Sequence, residues 1–434
     1  MVGAADRTLT RRADRSLLIG IVAVGAVLRL AMLASRWGDP LDLNDSIYYS
    51  IQAAQNADGN WFAEPLSRTP GAEHPPLTVL AITPASLLPS PVFWQRATTT
   101  LFGIAAVALI AVLGARIGGR RVALAAAAIA AVYPNLWLSD GLVMSESIAV
   151  ALVAIVLLAT LWHAERFTLA SAVLCGATIG LAALARSELL VLVPLLAVVG
   201  LGTHERRRWV GRAAVLAGSA ALVVMPWIVW TSIRLDAPVL MSTNAGMTLL
   251  GANCPPTYYG DSIGGWELGC VFGSDERSGQ PDETAVERSN RGRAEALAYV
   301  RQHPERVPVV VAARVLRAAD LYGLTSSVRG DVGEERMEWG VWAGIAAWWV
   351  LAPIAAIGLH RLPRGTRWVR ATPVICVAAV TVAFYGSHRL RAPMEPVVAV
   401  AAATTFLVGA YESTWWTKGA GRSGRAGVDS DQPR

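Results

Sequence analysis

Acidic side chains that could catalyse a group transfer stand in the segments that join long apolar stretches of this 434-residue chain. Asp45 lies in LDLNDSIYYSIQ, just after the first apolar stretch, and Glu146 lies in YPNLWLSDGLVMSESIAV, between two later ones. A carboxylate near a membrane is costly unless it is paired or used, so both are candidate catalytic groups. As alternatives, Asp45 could cap the helix that begins beside it, and Glu146 could interact with a helix dipole.

Cationic candidates accompany these acids. His74 precedes two prolines in AEHPPLTVL, Arg186 ends an apolar stretch in LAALARSELL, and YGSHRLRAPMEP contains Arg389 and Arg391. The planar guanidinium donates paired hydrogen bonds to phosphate, so these side chains could hold a phosphate group. The alternatives are an ordinary loop role for His74, pairing of Arg186 with Glu188, and snorkelling of the last two arginines toward water.

The apolar stretches that must position these residues are long enough to cross a membrane. Hydrophobic residues make up 54% of the chain and charged residues 16%, and the mean hydropathy is +0.43. A helix needs roughly 20 apolar residues to cross about 30 Å of hydrocarbon. We therefore predict an all-α polytopic membrane protein. The ten predicted spans are 17–35, 92–115, 122–139, 144–162, 169–186, 188–202, 212–232, 339–359, 371–386 and 393–411.

The distribution of basic residues predicts the orientation of these spans. With the N-terminus inside, the short inner segments carry 20 basic residues and the short outer segments carry six. This asymmetry follows the positive-inside rule. We predict both termini on the cytoplasmic side of the cell membrane and the candidate site outside. The net charge of +6 then indicates no nucleic-acid partner, because the excess faces anionic membrane lipids.

The spans divide the chain into five predicted parts. They are a cytoplasmic N-terminal segment 1–16, an N-terminal transmembrane catalytic module 17–232 with a first outer loop 36–91, a large outer loop 233–338, C-terminal transmembrane helices 339–411 and a disordered cytoplasmic tail 412–434. The first span is preceded by arginines but not followed by a small-residue cleavage site, so we predict that it is retained.

The large outer loop contains two features of its own. Cys254 and Cys270 bracket a polar, Gly-rich segment, and an oxidising exterior favours a disulfide between them, with two free thiols as the alternative. Further along, Arg314 and Arg317 stand among apolar residues. That pattern predicts a helix lying along the outer membrane interface.

A metal site is a weaker expectation. Asp45, Glu146 and His74 could offer oxygen and nitrogen ligands to a divalent cation, but their spacing fits no strong metal motif. We therefore assign no metal ligand and leave a divalent cation as an open possibility. All the candidate acids and cations are predicted to gather at one outer membrane face, where a lipid phosphate and an aqueous acceptor could meet.

Several short motifs together resemble a known group of enzymes. LNDSIYY, EHPPL, YPNLWLSDGLVMSESIAV and GLAALARSE are similar to segments of the membrane glycosyltransferases of the GT-C fold, in particular family 39 with its protein mannosyltransferases and the lipid A aminoarabinose transferases. The resemblance covers residues 10 to 411. It implies a GT-C fold with short interfacial helices in the outer loops, and transfer of a sugar from a polyprenyl-phosphate donor to a hydroxyl of an envelope glycolipid, glycan or protein. Mannose is the first candidate sugar.

The resemblance also implies roles for individual residues. The first-loop acid of the family corresponds to Asp45, although Ser46 stands where a Glu commonly follows. The other correspondences are His74-Pro75-Pro76 for a Lys-Pro-Pro segment, Glu146 for an acid that begins a span, Arg186 for a phosphate-side cation, and Arg389 and Arg391 for a C-terminal arginine stretch. Asp45 would act as general base in an inverting displacement, and the arginines would neutralise the leaving phosphate.

Two other classes of protein remain as alternatives. A transporter or lipid flippase would be expected to show internal repeats and ionisable groups near the membrane midplane, whereas the charges here are predicted at one face. A non-catalytic envelope scaffold would use the outer loops only to bind partners. A catalytic site requires Asp45 and at least one of Arg186, Arg389 and Arg391 to line one cavity that is open to both lipid and the outside, and scattered side chains would favour the scaffold.

Overall fold

The computed structural model describes residues 12–42, 44–65, 69–272, 283–361 and 364–407. Regular structure in these ranges is helical, apart from one isolated bridge between Ala63 and Pro70. The predicted tail 412–434 and most of the predicted segment 1–16 lie outside the described residues. The helices are α1 Arg12–Ser35, α2 Asp45–Ala57, α3 Pro76–Ile82, α4 Pro91–Val132, α5 Pro134–Trp137, α6 Glu146–Arg166, α7 Leu169–Ala185, α8 Leu192–Ala197, α9 Arg206–Arg234, α10 Ala245–Ala252, α11 Pro255–Tyr258, α12 Leu268–Phe272, α13 Ala285–Gln302, α14 Val307–Ala318, α15 Leu324–Gly333, α16 Glu338–Arg361, α17 Arg364–Ala383 and α18 Glu395–Leu407.

Among the described residues, five helices are long and apolar enough to cross a membrane. They are α1 from Asp14 onward, α4, α6, α9 and α16. The helix α4 has 42 residues and a non-helical Gly119 with φ of 76°. Gly114 packs against the backbone of Val122 and Ala123, which a straight helix would place about 12 Å further along its axis. The chain therefore folds back at Gly119. The half before Gly119 corresponds to the predicted span 92–115, whereas the half after it ends at Val132 and covers only the first part of the predicted span 122–139.

The predicted span 188–202 is not one continuous helix. The structure has a 3-10 helix of five residues, Ser187–Val191, followed by α8 with six residues. Gly176 and Gly180 of α7 pack against Leu216 and Ala220 of α9, so these two helices run parallel. The segment between them ends near His204, which stacks on Phe167 with ring centroids 3.9 Å apart, and therefore returns the chain to the end of the bundle where α7 begins. The count of ten spans, which depended on this segment, stays a prediction.

The helix α6 lies at the centre of the bundle. Of its most apolar window, 72% is buried inside the protein, compared with 17% for α1. Its neighbours include α4, α7 and α18, and small residues such as Ala149 and Ala182 let these helices approach closely. Because α6 begins at Glu146, this central position holds one candidate carboxylate deep in the protein.

The first outer loop contains α2, α3 and a 3-10 helix Pro84–Leu87, and the second contains α10 to α15. Cys254 and Cys270 are joined by a disulfide, with Cα atoms 6.4 Å apart. The loop that they close is bonded to the segment before the last helix, because Gly386 N–H donates to the Gly264 carbonyl at 2.8 Å. The second loop therefore helps to set the position of the residues that follow Gly386.

Arg314 and Arg317 of α14 are buried, with 5% and 3% exposure. Arg314 donates to the carbonyls of Val382 and Ala252, each at 2.9 Å, and Arg317 donates to the carbonyl of Ile263 at 2.6 Å. Arg314 therefore joins the loop to α17, and Arg317 joins two parts of the loop to each other. Neither guanidinium reaches lipid headgroups, as the prediction of a helix along the membrane interface would have it.

Buried ion pairs fasten the outer loops to the bundle. Arg29 of α1 donates to Asp140 at 2.6 Å, with side-chain exposures of 1% and 0%. The carboxylate of Asp140 lies where a Cβ at Gly103 of α4 would stand, so only glycine allows this approach. Glu335, before α16, accepts from Arg96 of α4 at 2.8 Å. Arg96 also donates to the backbone carbonyls of Asp39 and Pro40 in the first loop, so it holds both loops above the same end of the bundle, whereas the pair of Arg29 and Asp140 joins α1 to the segment before α6.

Candidate active site

Asp45 is a partly exposed carboxylate at the start of α2. The N-cap is Asn44, whose side chain accepts from the Ser46 backbone N–H at 2.7 Å, so the prediction that Asp45 caps the helix is wrong. The Asp45 side chain is 33% exposed, and its Oδ2 accepts from Arg389 Nη2 at 2.6 Å. Burial raises the pKa of Asp45, but the positive charge of Arg389, the neighbouring His74 and the hydrogen bond from Arg389 together outweigh that effect, so the pKa is lowered. Asp45 is therefore ionised at neutral pH and open to solvent.

Arg389 brings together carboxylates from three parts of the chain. It belongs to a 3-10 helix, His388–Met394, that precedes α18. Its Nη2 donates to Asp45, its Nε donates to Glu146, and its Nη1 donates to Glu334 Oε1 at 2.6 Å. Because a guanidinium has five N–H donors in a rigid fork, one side chain can bond to all three acids.

Glu146 joins Arg389 to Arg186. The Glu146 side chain is 2% exposed, and its Oε1 accepts from Arg186 Nη1 at 3.1 Å. Arg186 follows the end of α7 and also donates from Nε to Glu188 at 2.5 Å. The predicted pairing of Arg186 with Glu188 is therefore present, and so is the predicted approach of Arg186 to the other candidates. We call Asp45, Glu146, Arg186, Glu188, Glu334 and Arg389 the outer charge cluster.

His74 lies beside Asp45, with its Nε2 3.7 Å from Asp45 Oδ1. Its ring is packed against those of Tyr48 and Tyr49, with centroids 5.0 and 4.7 Å away. Burial lowers the pKa of His74, and the nearby Asp45 offsets only part of that effect. The imidazole is therefore neutral at pH 7, and its part in binding the donor phosphate stays a prediction.

Arg391 points away from the cluster. Its side chain is 1% exposed, and it donates to Asp320 Oδ2 at 2.6 Å. Its guanidinium also lies 4.0 Å from the centre of the Trp348 ring. The structure contradicts both the assignment of Arg391 to phosphate binding and its snorkelling alternative, because the charge is neutralised inside the protein.

The segment 331–336 contains site residues that the sequence analysis did not single out. Glu334 contacts Arg389 through one oxygen and Arg336 Nη1 through the other, at 2.9 Å. Arg336 also donates to Asp331 at 2.9 Å. The sequence did contain a signal for these residues, because the charged run DVGEER stands directly before a predicted span. Charges at that end of the predicted outer loop are expected at the same membrane face as the other candidate residues.

His388 connects the cluster to a second set of acids. Its Nδ1 lies 3.0 Å from Asp320 Oδ1, and its Nε2 is bonded to Asp331. Burial would lower the pKa of His388, but Asp331 and Asp320 together raise it to about 9. A protonated His388 therefore bridges two buried carboxylates immediately before Arg389 and helps to hold that residue in place.

An apolar groove of about 540 Å³ begins on the 3-10 helix that follows Arg186. Leu190 and Val193 line one side, and Ala220, Val224 and Met225 of α9 line the other. Its lining is apolar side chains, so the groove suits hydrocarbon rather than a polar ligand. Among the described residues, no group of three or more His, Cys, Asp or Glu side chains is arranged to hold a metal ion.

Comparisons with known proteins agree with this architecture. Residues 73–230 match the family model described as dolichyl-phosphate-mannose-protein mannosyltransferase. The oligosaccharyltransferase of Archaeoglobus fulgidus, solved with zinc and sulfate, superposes with a TM-score of 0.54 at 15% identity, over 90% of this chain and 48% of that one. The same archaeal enzyme, AglB, solved with an inhibitory peptide and a dolichol-phosphate, gives 0.52 at 14% identity, over 92% and 50%.

A weaker likeness is found to ArnT of Cupriavidus metallidurans in the apo state, with a TM-score of 0.40 at 17% identity, over 87% of this chain and 76% of that one. No curated protein sequence matches the chain. The chain spans about half the length of the archaeal structures that it matches. The prediction of a polytopic GT-C fold similar to membrane mannosyltransferases is confirmed.

Proposed function

We propose that this protein is a glycosyltransferase of the cell membrane that moves a sugar from a polyprenyl-phosphate donor to a hydroxyl of an envelope glycolipid, glycan or protein. Both termini are cytoplasmic and the reaction takes place at the extracytoplasmic face. Mannose is the first candidate sugar, because the family matched by residues 73–230 is named for dolichyl-phosphate-mannose. The solved relative AglB binds a dolichol-phosphate, which supports the donor class.

The observation that carries the proposal is the direct contact between Asp45 and Arg389. A solvent-accessible carboxylate lies 2.6 Å from a guanidinium whose chain position is 344 residues away, and Arg186 shares Glu146 with that guanidinium. The contact places Asp45 and a candidate arginine side by side, which is one part of the predicted catalytic arrangement; a shared cavity open to both lipid and the outside stays a prediction. The scaffold alternative predicts that these side chains are scattered. In the part of the chain that the structure describes, Asp45, Arg186 and Arg389 lie in one cluster instead.

Each residue has a defined part in the reaction. Asp45 accepts the proton of the acceptor hydroxyl while the acceptor oxygen bonds to the anomeric carbon, and the bond from that carbon to the phosphate oxygen breaks. The phosphate leaves with one more negative charge than it carried in the donor. Arg389 and Arg186 neutralise that charge as it develops. A single displacement of this kind inverts the anomeric configuration.

The apolar groove provides a place for the lipid part of the donor. It begins at Leu190 and Val191, within five residues of Arg186 along the chain. An isoprenoid chain in this groove would stay in a hydrocarbon environment while its phosphate reaches the arginines. Because the chain comes from lipid rather than from water, its transfer into the groove gains little hydrophobic free energy, and the groove serves to position the donor while the arginines bind its phosphate.

A purified-protein assay with labelled polyprenyl-phosphate sugars and envelope extracts tests the proposal. Asp45→Asn keeps the size of the side chain and removes its basicity, and it should lower the transfer rate by about 10² to 10⁴. Asp42→Asn is the matched control, because Asp42 is an exposed acid three residues earlier, and it should keep the wild-type rate.

Two results would contradict the proposal at different levels. If Asp45→Asn transfers sugar at nearly the wild-type rate, Asp45 is not the base. If the wild-type protein transfers no sugar from any polyprenyl-phosphate donor in the panel, the glycosyltransferase assignment itself fails.

A further inference from the structure

Glu334 differs from the other two carboxylates on Arg389 in what holds it. Glu146 is 2% exposed and is bonded to Arg186 as well. Glu334 is 26% exposed, and its second oxygen accepts from Arg336 at 2.9 Å. If Glu334 left Arg389, its charge would still be paired with Arg336 and would still contact water. Asp45 is slightly more exposed, at 33%, but away from Arg389 it would have only the neutral His74 beside it. Glu334 is therefore the acid that can leave Arg389 and keep a cationic partner, which lowers the cost of the exchange.

The donor atoms of Arg389 are already occupied, so the proposed donor has to compete for them. Its Nε, Nη1 and Nη2 each donate to a carboxylate. Together with Arg336, which pairs with Glu334, the outer charge cluster has four carboxylates and three guanidiniums. A donor phosphodiester adds a further negative charge that these carboxylates repel, so it binds Arg389 best if one of them withdraws.

The backbone around Glu334 is fixed on both sides. Three residues earlier, Asp331 is bonded to His388, and the next residue, Glu335, accepts from Arg96 at 2.8 Å. The exchange therefore requires a change of side-chain rotamer at Glu334 rather than opening of the loop. Such rotamer changes are fast compared with enzyme turnover.

We propose that the donor phosphate displaces Glu334 from Nη1 of Arg389, and that Glu334 returns to Arg389 when the lipid phosphate product leaves. This inference rests on the proposed function, since it concerns the same donor at the same site. Glu334 is then a residue that sets the affinity for lipid phosphate and helps to expel the product, while its charge stays paired with Arg336 throughout.

The test is direct binding of a short-chain polyprenyl phosphate, and of the corresponding polyprenol, to purified protein. Glu334→Gln removes the competing charge and keeps the shape of the side chain. It should tighten binding of the phosphate about tenfold, equivalent to roughly 1.4 kcal/mol, and leave binding of the polyprenol unchanged. Glu305→Gln, at an exposed glutamate of the 3-10 helix Pro304–Arg306, is the matched control and should change neither.

A second variant keeps the proposal testable if Glu334→Gln does not fold. Glu334→Asp keeps the charge, but its shorter side chain cannot span Arg389 and Arg336, so it should tighten phosphate binding by a smaller factor. Unchanged or weaker phosphate binding in whichever of these variants folds, with normal binding by the wild type, overturns the exchange and leaves the proposed function intact. If the wild type binds the phosphate no better than the polyprenol, the proposed function fails, and this inference fails with it.

Discussion

Raising the pH above neutrality should destabilise the protein through His388. In the folded state Asp331 and Asp320 raise the pKa of His388 to about 9, from an ordinary value of 6.5. A raised pKa means that the charged imidazole stabilises the fold fully below pH 6.5, and that this contribution is lost as the pH rises from 6.5 through 9. Each pKa unit corresponds to 1.36 kcal/mol, so the loss amounts to roughly 3 kcal/mol.

The assay is the midpoint of thermal unfolding of the purified protein in detergent, measured at several pH values between 6 and 9.5. The wild-type midpoint should fall across this interval. His388→Gln should lower the midpoint at pH 6, because an amide cannot supply the positive charge between Asp331 and Asp320, and it should flatten the pH dependence. His303→Gln is the control, since His303 follows α13 and contacts Tyr299 rather than these acids.

The decisive comparison is the slope rather than the absolute stability. If His388→Gln shows the same fall between pH 6.5 and 9 as the wild type, the imidazolium does not carry the effect, and the reasoning about the two aspartates is wrong. If His303→Gln flattens the slope to the same degree, the pH dependence belongs to some property shared by the two histidines.

Two further predictions concern donor binding and the outer loop. Arg186→Ala should raise the KM for the polyprenyl-phosphate donor by about tenfold or more in steady-state assays, because Arg186 is assigned to the phosphate. The KM for the acceptor should change little. An equal effect on both substrates would show that Arg186 only pairs with Glu146 and Glu188. Replacing Cys254 and Cys270 by serine should lower the free energy of unfolding by about 3 kcal/mol in the chain-entropy model for a loop of this size, and reductant should shift the unfolding midpoint of the wild type but not of the double variant.

Long apolar helices were the part of the fold that could be predicted from local sequence. The predicted spans 17–35 and 339–359 correspond to α1 Arg12–Ser35 and α16 Glu338–Arg361, because uninterrupted apolar composition fixes a crossing helix almost alone. The predicted span 188–202 is broken, since the chain recrosses the bundle there as a 3-10 helix, Ser187–Val191, followed by the short helix α8. Composition does not distinguish one continuous helix from an interrupted one of similar hydropathy.

The candidate site could be predicted only in part, and Arg389 and Arg391 show the reason. They stand two residues apart and looked equivalent in the sequence. On a 3-10 helix, residues two apart point in directions about 120° from each other, so Arg389 reaches Asp45 while Arg391 reaches Asp320. Tertiary packing decides which of the two arginines faces the outer charge cluster, because the acids that Arg389 contacts lie 55 to 344 residues away along the chain. No local pattern contains that information.

The pair formed by Arg29 and Asp140 constrains how the protein can be assembled in its membrane. Arg29 leaves the ribosome more than a hundred residues before its partner, and an arginine within a lone hydrophobic helix costs about 2.5 to 3.5 kcal/mol on insertion scales. The first helix should therefore remain near the translocation channel until the chain has grown past Asp140. Nascent chains that stop before that residue should release α1 into lipid less efficiently than chains that include it.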